Sequence, residues 1–118
     1  MDIITIQQKI EENIKLLRAT SRELKKRSIE KANAKGEYEK KIAIVMLKLR
    51  NSESFEFEDI EASWSGITGL KEIAKGFCYQ ESINLDLAES NYKNAVLGMQ
   101  ALMAEINALQ SILRYMEE

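Results

Sequence analysis

At 118 residues, with 45% hydrophobic and 31% charged side chains, the chain holds one domain's worth of apolar material, more than a disordered chain carries. A formal net charge of −2 excludes a bulk polycation. The absence of histidine removes the commonest general base and metal ligand, and a single cysteine excludes an intramolecular disulfide framework. Proline is absent and Ala, Glu, Lys, Leu, Ile and Gln dominate, so helix is expected almost throughout. The class expected is all-α: one domain over 1–118, a long antiparallel, coiled-coil-like helical hairpin with one or two short helices in its connector.

The first element expected is a helix from about residue 4 to 50. The N-terminus, MDIITIQQKIEEN, has no positive region ahead of an apolar core, and no apolar run approaches the ~18 residues that cross a bilayer. A soluble, cytoplasmic chain with no membrane role is therefore expected. Counting by threes and fours from Ile10 gives Ile14, Leu17, Ser21, Leu24, Ser28, Lys31, Lys35, Tyr38, Ile42, Val45 and Leu49, a stripe apolar at its ends and polar in its middle. A phase shift to Ile29, Ala32 and Gly36 recovers a narrow small-residue face, with a possible kink at Gly36. Beside the stripe, Lys15, Arg18, Arg22, Lys25, Lys26, Arg27 and Lys31 form a basic strip. It is the candidate nucleic-acid or partner surface, since phosphate contacts need clustered cations. The sequence pI of 5.4 and the lack of any zinc-finger spacing or aromatic platform weigh towards a solvated, partner-facing surface.

The connector, 51–78, is rich in serine, acids and aromatics. Phe57, Ile60 and Trp64 are spaced as one face of a short amphipathic helix, which would anchor the connector to the hairpin. Glu53, Glu56, Glu58, Asp59 and Glu61 are either an acidic protein-binding segment or a solvated cover over those anchors. Thr68 can cap a second short helix, Leu70 to Lys75, ended by Gly76. Cys78 reads as a small buried hydrophobe, because no histidine exists to activate it.

The last element, about 79–117, carries the strongest signal. Leu85, Ala88, Tyr92, Ala95, Met99, Leu102, Ile106, Leu109, Leu113 and Met116 recur by threes and fours, a heptad seam turned towards a partner helix. Tyr92, Met99, Leu102, Ile106, Leu109 and Leu113 are its candidate interface residues. Continued backwards, the seam meets Glu81. Val96, Leu97, Met103 and Ile112 are apolar beyond what the seam uses, so self-association into a bundle is expected. Residues 1–50 hold 13 Lys or Arg against 7 Asp or Glu, while residues 51–118 hold 4 against 12, so a basic helix faces an acidic remainder. A helical di-metal site wants Glu-x-x-His, which this composition cannot supply, and no acid–base pair stands out by spacing. No enzyme activity and no cofactor are expected.

Two resemblances follow from short motifs. Trp64-Ser65-Gly66 between two long helices resembles the W-x-G turn of the small helical hairpins exported by Gram-positive type VII systems, which implies a secreted hairpin. Tyr115, with only three residues after it, does not form that family's C-terminal Tyr-x-x-x-Asp/Glu signal. The pieces AKGEYEKKIAIVMLKLR, LKEIAKG, LDLAESNYKNAV and INALQSILRYMEE are similar, in the same order, to a group of small phage and prophage proteins of Gram-positive bacteria. That resemblance implies a phage accessory protein, with a host or phage protein as partner or a place among replication and recombination functions.

Overall fold

The computed structural model describes residues 2–51, 55–57, 60–62 and 69–117. Three helices, α1 (Ile3–Arg50), α2 (Leu70–Phe77) and α3 (Tyr79–Glu117), make an all-α helical hairpin. Asp2 starts α1: the Thr5 N–H donates to Asp2 Oδ1 at 2.7 Å and the Ile6 N–H to the Asp2 carbonyl at 3.1 Å, satisfying donors a first turn leaves open. Lys48 and Arg50 in the last turn complement the negative end of its dipole. The helix runs unbroken through Gly36.

Two compact units divide these elements: Met1–Ile29 with Ser90–Glu118, and Glu30–Glu89. In the first unit Lys9 Nζ lies 3.9 Å from Glu105 Oε1, and Arg27 Nη1 donates to the Asn91 carbonyl at 3.0 Å. One number rises as the other falls, so the helices there are antiparallel. Ile3, Ile6, Ile10, Asn13, Ile14, Leu17, Thr20, Leu24 and Arg27 are buried or half-buried on α1, and Tyr92, Ala95, Val96, Met99, Leu102, Ile106, Leu109 and Leu113 on α3. The α3 residues keep the three-and-four step of the sequence, with Val96 beside it, but the α1 register differs. Asn13 is buried beside a half-buried Ile14, Thr20 and Arg27 turn inward where the count gave Ser21 and Ser28, and Ile29 is exposed. Strict heptads from Ile3 prevail here, because they bring Ile3, Ile6, Ile10, Leu17 and Leu24 inward together at the cost of polar residues between them.

In the second unit Ile42, Val45 and Leu49 pack with Leu70, Ala74 and Cys78, flanked by Tyr38, Met46, Ile73 and Phe77. Ala34, Tyr38 and Ile42 take two four-residue steps in succession, a local stutter that restores the register counted from the sequence. Ala32 and Gly36 face solvent, and a Cβ at Gly36 would meet nothing, so the small-residue face is not a packing face.

The connector departs from expectation. Backbone at Phe55–Phe57 (β1) and Ile60–Ala62 (β2) forms an antiparallel two-stranded ribbon, with Phe57 directly opposite Ile60, Glu56 opposite Glu61 and Phe55 opposite Ala62. Phe57 and Ile60 therefore do not share a helix face. The period-two alternation of Phe-Glu-Phe and Ile-Glu-Ala prevails over the three-residue spacing. Trp64, Thr68, Glu53, Glu58 and Asp59 lie outside the described residues. Gly69 at the head of α2 has φ 85°, a left-handed conformation that favours glycine, and its carbonyl accepts from Ile73 N–H at 3.0 Å. α2 runs through Gly76 to Phe77, and the Cys78 N–H closes it on the Lys75 carbonyl.

Candidate functional site

The basic strip divides between two directions. Lys15, Arg18, Arg22, Lys25 and Lys26 are exposed on the outward side of α1, away from its seam. Arg27 turns inward, its Nε donating to Glu23 Oε1 at 2.9 Å and its Nη1 to Asn91, so it serves the hairpin. Lys31, in the second unit, is half-buried and already engaged. Glu11, Glu12 and Glu23 share the outer surface of α1 with the free cations. What remains outward is a cluster of five positive charges, suited to phosphates or an acidic partner.

The outward side of α3 is its opposite. Between residues 94 and 113 Glu105 is the sole charged residue. The positions that face away from α1, Ser90, Asn94, Leu97, Ala101, Ala104 and Ala108, are all exposed, Leu97 to 53%. Ile112 and Tyr115 extend the patch, the latter 80% exposed. Helix surfaces that meet water normally carry charge at such positions; a helix apolar or uncharged all round is covered by other helices or by lipid. By length and composition alone α3 suffices to cross a membrane, contrary to the sequence count. That count looked for an unbroken apolar run, whereas here apolar residues are interspersed with uncharged Gln, Asn and Ser. Gly98 sits beside this face, and a Cβ built on it would meet nothing within 4 Å.

The candidate seam residues lie between the helices. Ile106 and Leu109 are buried, and Tyr92, Met99, Leu102 and Leu113 half-buried, so these six hold the first unit together. Met116, the last of the counted seam, is exposed. Asn13 is the polar residue buried in this seam, at 6% exposure, and its Nδ2 has no hydrogen-bond partner among the described residues. The sequence count stepped from Ile10 to Ile14, which is half-buried, and so passed over Asn13; the recurrence Ile3, Ile6, Ile10, Leu17 was the available signal. Glu81, which interrupts the α3 seam, accepts from Lys41 Nζ at 2.7 Å. That hydrogen bond holds the Glu81 carboxyl below its ordinary range and raises the Lys41 ammonium above its own. Glu81 Oε2 is buried without a partner.

Cys78 is fully buried in the second unit's core, and burial pushes its thiol above the ordinary value, so it stays protonated and acts as a small hydrophobe. Among the described residues no three His, Cys, Asp or Glu side chains gather as metal ligands do. No protein family, curated protein or solved structure matches the chain.

Proposed function

We propose that this chain is a non-enzymatic, oligomeric helical-hairpin protein that acts by binding other protein surfaces. The uncharged outward side of α3, with Leu97, Ile112 and Tyr115 exposed on it, carries this reading. An apolar helix face in water costs free energy in proportion to its area, and a second helical surface removes that cost. Sedimentation across the micromolar range tests it: a concentration-dependent oligomer supports the reading, and a stable monomer throughout removes it. A place among the accessory proteins of a phage, acting in the cytoplasm of its bacterial host, rests on the resemblance of the four short pieces alone. Co-purification of a defined host or phage protein with the tagged chain during infection tests that part.

A second reading has its own observation. Lys15, Arg18, Arg22, Lys25 and Lys26 all point outward, with no acidic partner at ion-pair distance among the described residues. On this reading the chain is a nucleic-acid-binding accessory factor, its outward α1 face lying along a phosphate backbone. Titration with labelled single- and double-stranded DNA distinguishes the two. Affinity that falls steeply with salt and is lost in Arg22→Glu with Lys26→Glu favours this reading; no binding at low salt eliminates it.

A further inference from the structure

We propose that the cations on the outward side of α1 seat the chain on one phosphate strand of duplex DNA, without reading its sequence. This rests on the nucleic-acid reading above and names the form of nucleic acid and the way it is held. Three observations carry it. The first is the arrangement of the charges. At about 100° per residue, Lys15, Arg18, Arg22, Lys25 and Lys26 share an arc of about 100° on the side of α1 opposite Asn13, Leu17 and Leu24, and they span about 16 Å of its axis. All five are exposed, and none has a carboxylate at ion-pair distance among the described residues. The chain's formal charge is −2, so affinity for a polyanion has to come from such a local row and not from net charge.

The second is what stands among and beside the cations. Ala19 is the small residue next to them, and Leu16 lies off on the flank. Protein interfaces are anchored by aromatic and large apolar side chains and are depleted in Lys and Ala; this arc offers no such anchor, and three of its five cations are lysines. Proteins that hold single strands add aromatic side chains on which bases stack. The first aromatic residue of this chain is Tyr38, which is half-buried against the core of the second unit. Duplex RNA is recognised through its 2′-hydroxyls across a shallow minor groove, which a row of ammonium and guanidinium donors does not select. The phosphates of a DNA duplex need neither anchor nor stack.

The third is the acidic flank, which decides between ridge and groove. Glu12 and Glu23 are exposed about 60° to 80° round the helix from Lys15, beyond Lys26, and Glu11 closes the arc one turn before Lys15. A helix laid into the major groove, about 12 Å wide, nearly fills it and has a phosphate strand on either side. Glu12 and Glu23 would then face one of those strands. A helix resting on a single strand keeps these acids off it, and its contacts go to phosphates, which position a protein but carry no sequence information.

Fluorescence anisotropy on the full chain tests this with two short DNA duplexes of unrelated sequence, an oligothymidine single strand, an RNA duplex and polyglutamate. Five phosphate contacts give a slope of log affinity on log salt of about −4.5 for each arc engaged, roughly a 500-fold loss between about 50 and 200 mM. The two DNA duplexes should bind within about threefold of each other and tighter than the other three probes. Arg22→Gln should make the slope shallower by about one and weaken both duplexes alike. Glu12→Lys should leave the slope unchanged, whereas a slope steeper by about one would put a second phosphate strand against that flank. Circular dichroism checks that both variants, at exposed helix positions, keep their helicity. Tighter binding to the single strand or to the RNA duplex, a tenfold preference between the two DNA duplexes, or a steeper slope with Glu12→Lys would overturn the single-ridge arrangement and leave the nucleic-acid reading standing. No binding to any nucleic acid at low salt would overturn both, and polyglutamate bound in their place would give the arc to an acidic protein.

Discussion

Asn13 offers a sharp energetic test of the hairpin. Its amide is 6% exposed, sits between Ile10 and Leu17 on the α1 seam, and has an Nδ2 with no partner. A buried donor left unmade costs about 1–3 kcal/mol. Leucine keeps the branch at Cγ but is larger, so Asn13→Leu removes that cost and adds the burial of an apolar side chain, roughly 1.5–3 kcal/mol on transfer grounds. Discounting for overpacking by the larger side chain, about 1–3 kcal/mol, the net expectation is a stabilisation of about 1–3 kcal/mol. Asn13→Ala should be close to neutral, since the relieved amide offsets the cavity left behind. Urea unfolding followed by circular dichroism at one fixed protein concentration measures both. If Asn13→Leu lowered the midpoint with an unchanged slope, the amide would be bonded in the working protein, and the account of this seam as a two-helix contact with an orphaned donor would be refuted. A gain in stability accompanied by a mixture of oligomers would assign Asn13 the register-setting role that a lone buried amide plays in coiled coils.

Further expectations follow from the same packing. Leu109→Ala, in the buried part of the α3 seam, should cost about 2–4 kcal/mol in denaturant unfolding, whereas Leu97→Ala on the outward face should leave the midpoint of the dilute monomer within about 0.5 kcal/mol. The Lys41–Glu81 pair works in a window whose sign is fixed by its shifts. Glu81 is depressed, so its contribution is present above the unfolded carboxyl value near ~4.3 and fades as pH falls through the folded one; Lys41 is raised, so its contribution is complete below ~10.4 and fades as pH rises through its folded value. Glu81→Gln should therefore lower Tm at pH 7 by an amount worth at most about 1 kcal/mol, the pair being partly exposed, and the two Tm values should converge as pH falls through the folded Glu81 value. Asp2→Ala removes the acceptor for the Thr5 N–H, so amide exchange should quicken over the first turn of α1 and nowhere else, which two-dimensional NMR reads residue by residue.

The α3 seam was legible because every third and fourth residue from Leu85 to Leu113 is apolar and most of them are large, whereas the opposite side is mainly Ser, Asn and Ala. Periodicity alone then fixes which side faces inward. The α1 register was not, because two phases compete: Ser28 and Ile29 are exposed while Arg27 turns inward, and Asn13 is buried more deeply than the half-buried Ile14 beside it. Only the partner helix decides between such phases, through the sum of contacts along the whole seam, and Arg27 resolves its own burial by reaching Asn91 and Glu23. The connector failed for a related reason. Phe57 and Ile60 fit one helix face as well as they fit paired strands, and six residues are too few for propensity to choose between them. Gly69 rather than Thr68 heads α2 because the backbone there is left-handed, a requirement that residue-type preferences for caps do not encode.

The two outward faces of one hairpin explain why its seam alone does not account for the sequence. A helix that needs only to pack on its neighbour can be charged over most of its remaining surface, and α1 over 11–26 is: Glu11, Glu12, Lys15, Arg18, Arg22, Glu23, Lys25 and Lys26 all meet solvent, with Leu16, Ala19 and Ser21 between them. Had α3 the same requirement, Asn94, Leu97, Ala101, Ala104 and Ala108 would be free to vary towards Lys and Glu, which favour helix and solubility alike. They are instead uncharged, small or apolar, at positions spaced by threes and fours. The two helices of the hairpin therefore differ in kind on their outward sides, α1 carrying a cluster of cations and α3 a surface between residues 94 and 113 on which Glu105 is the sole charge.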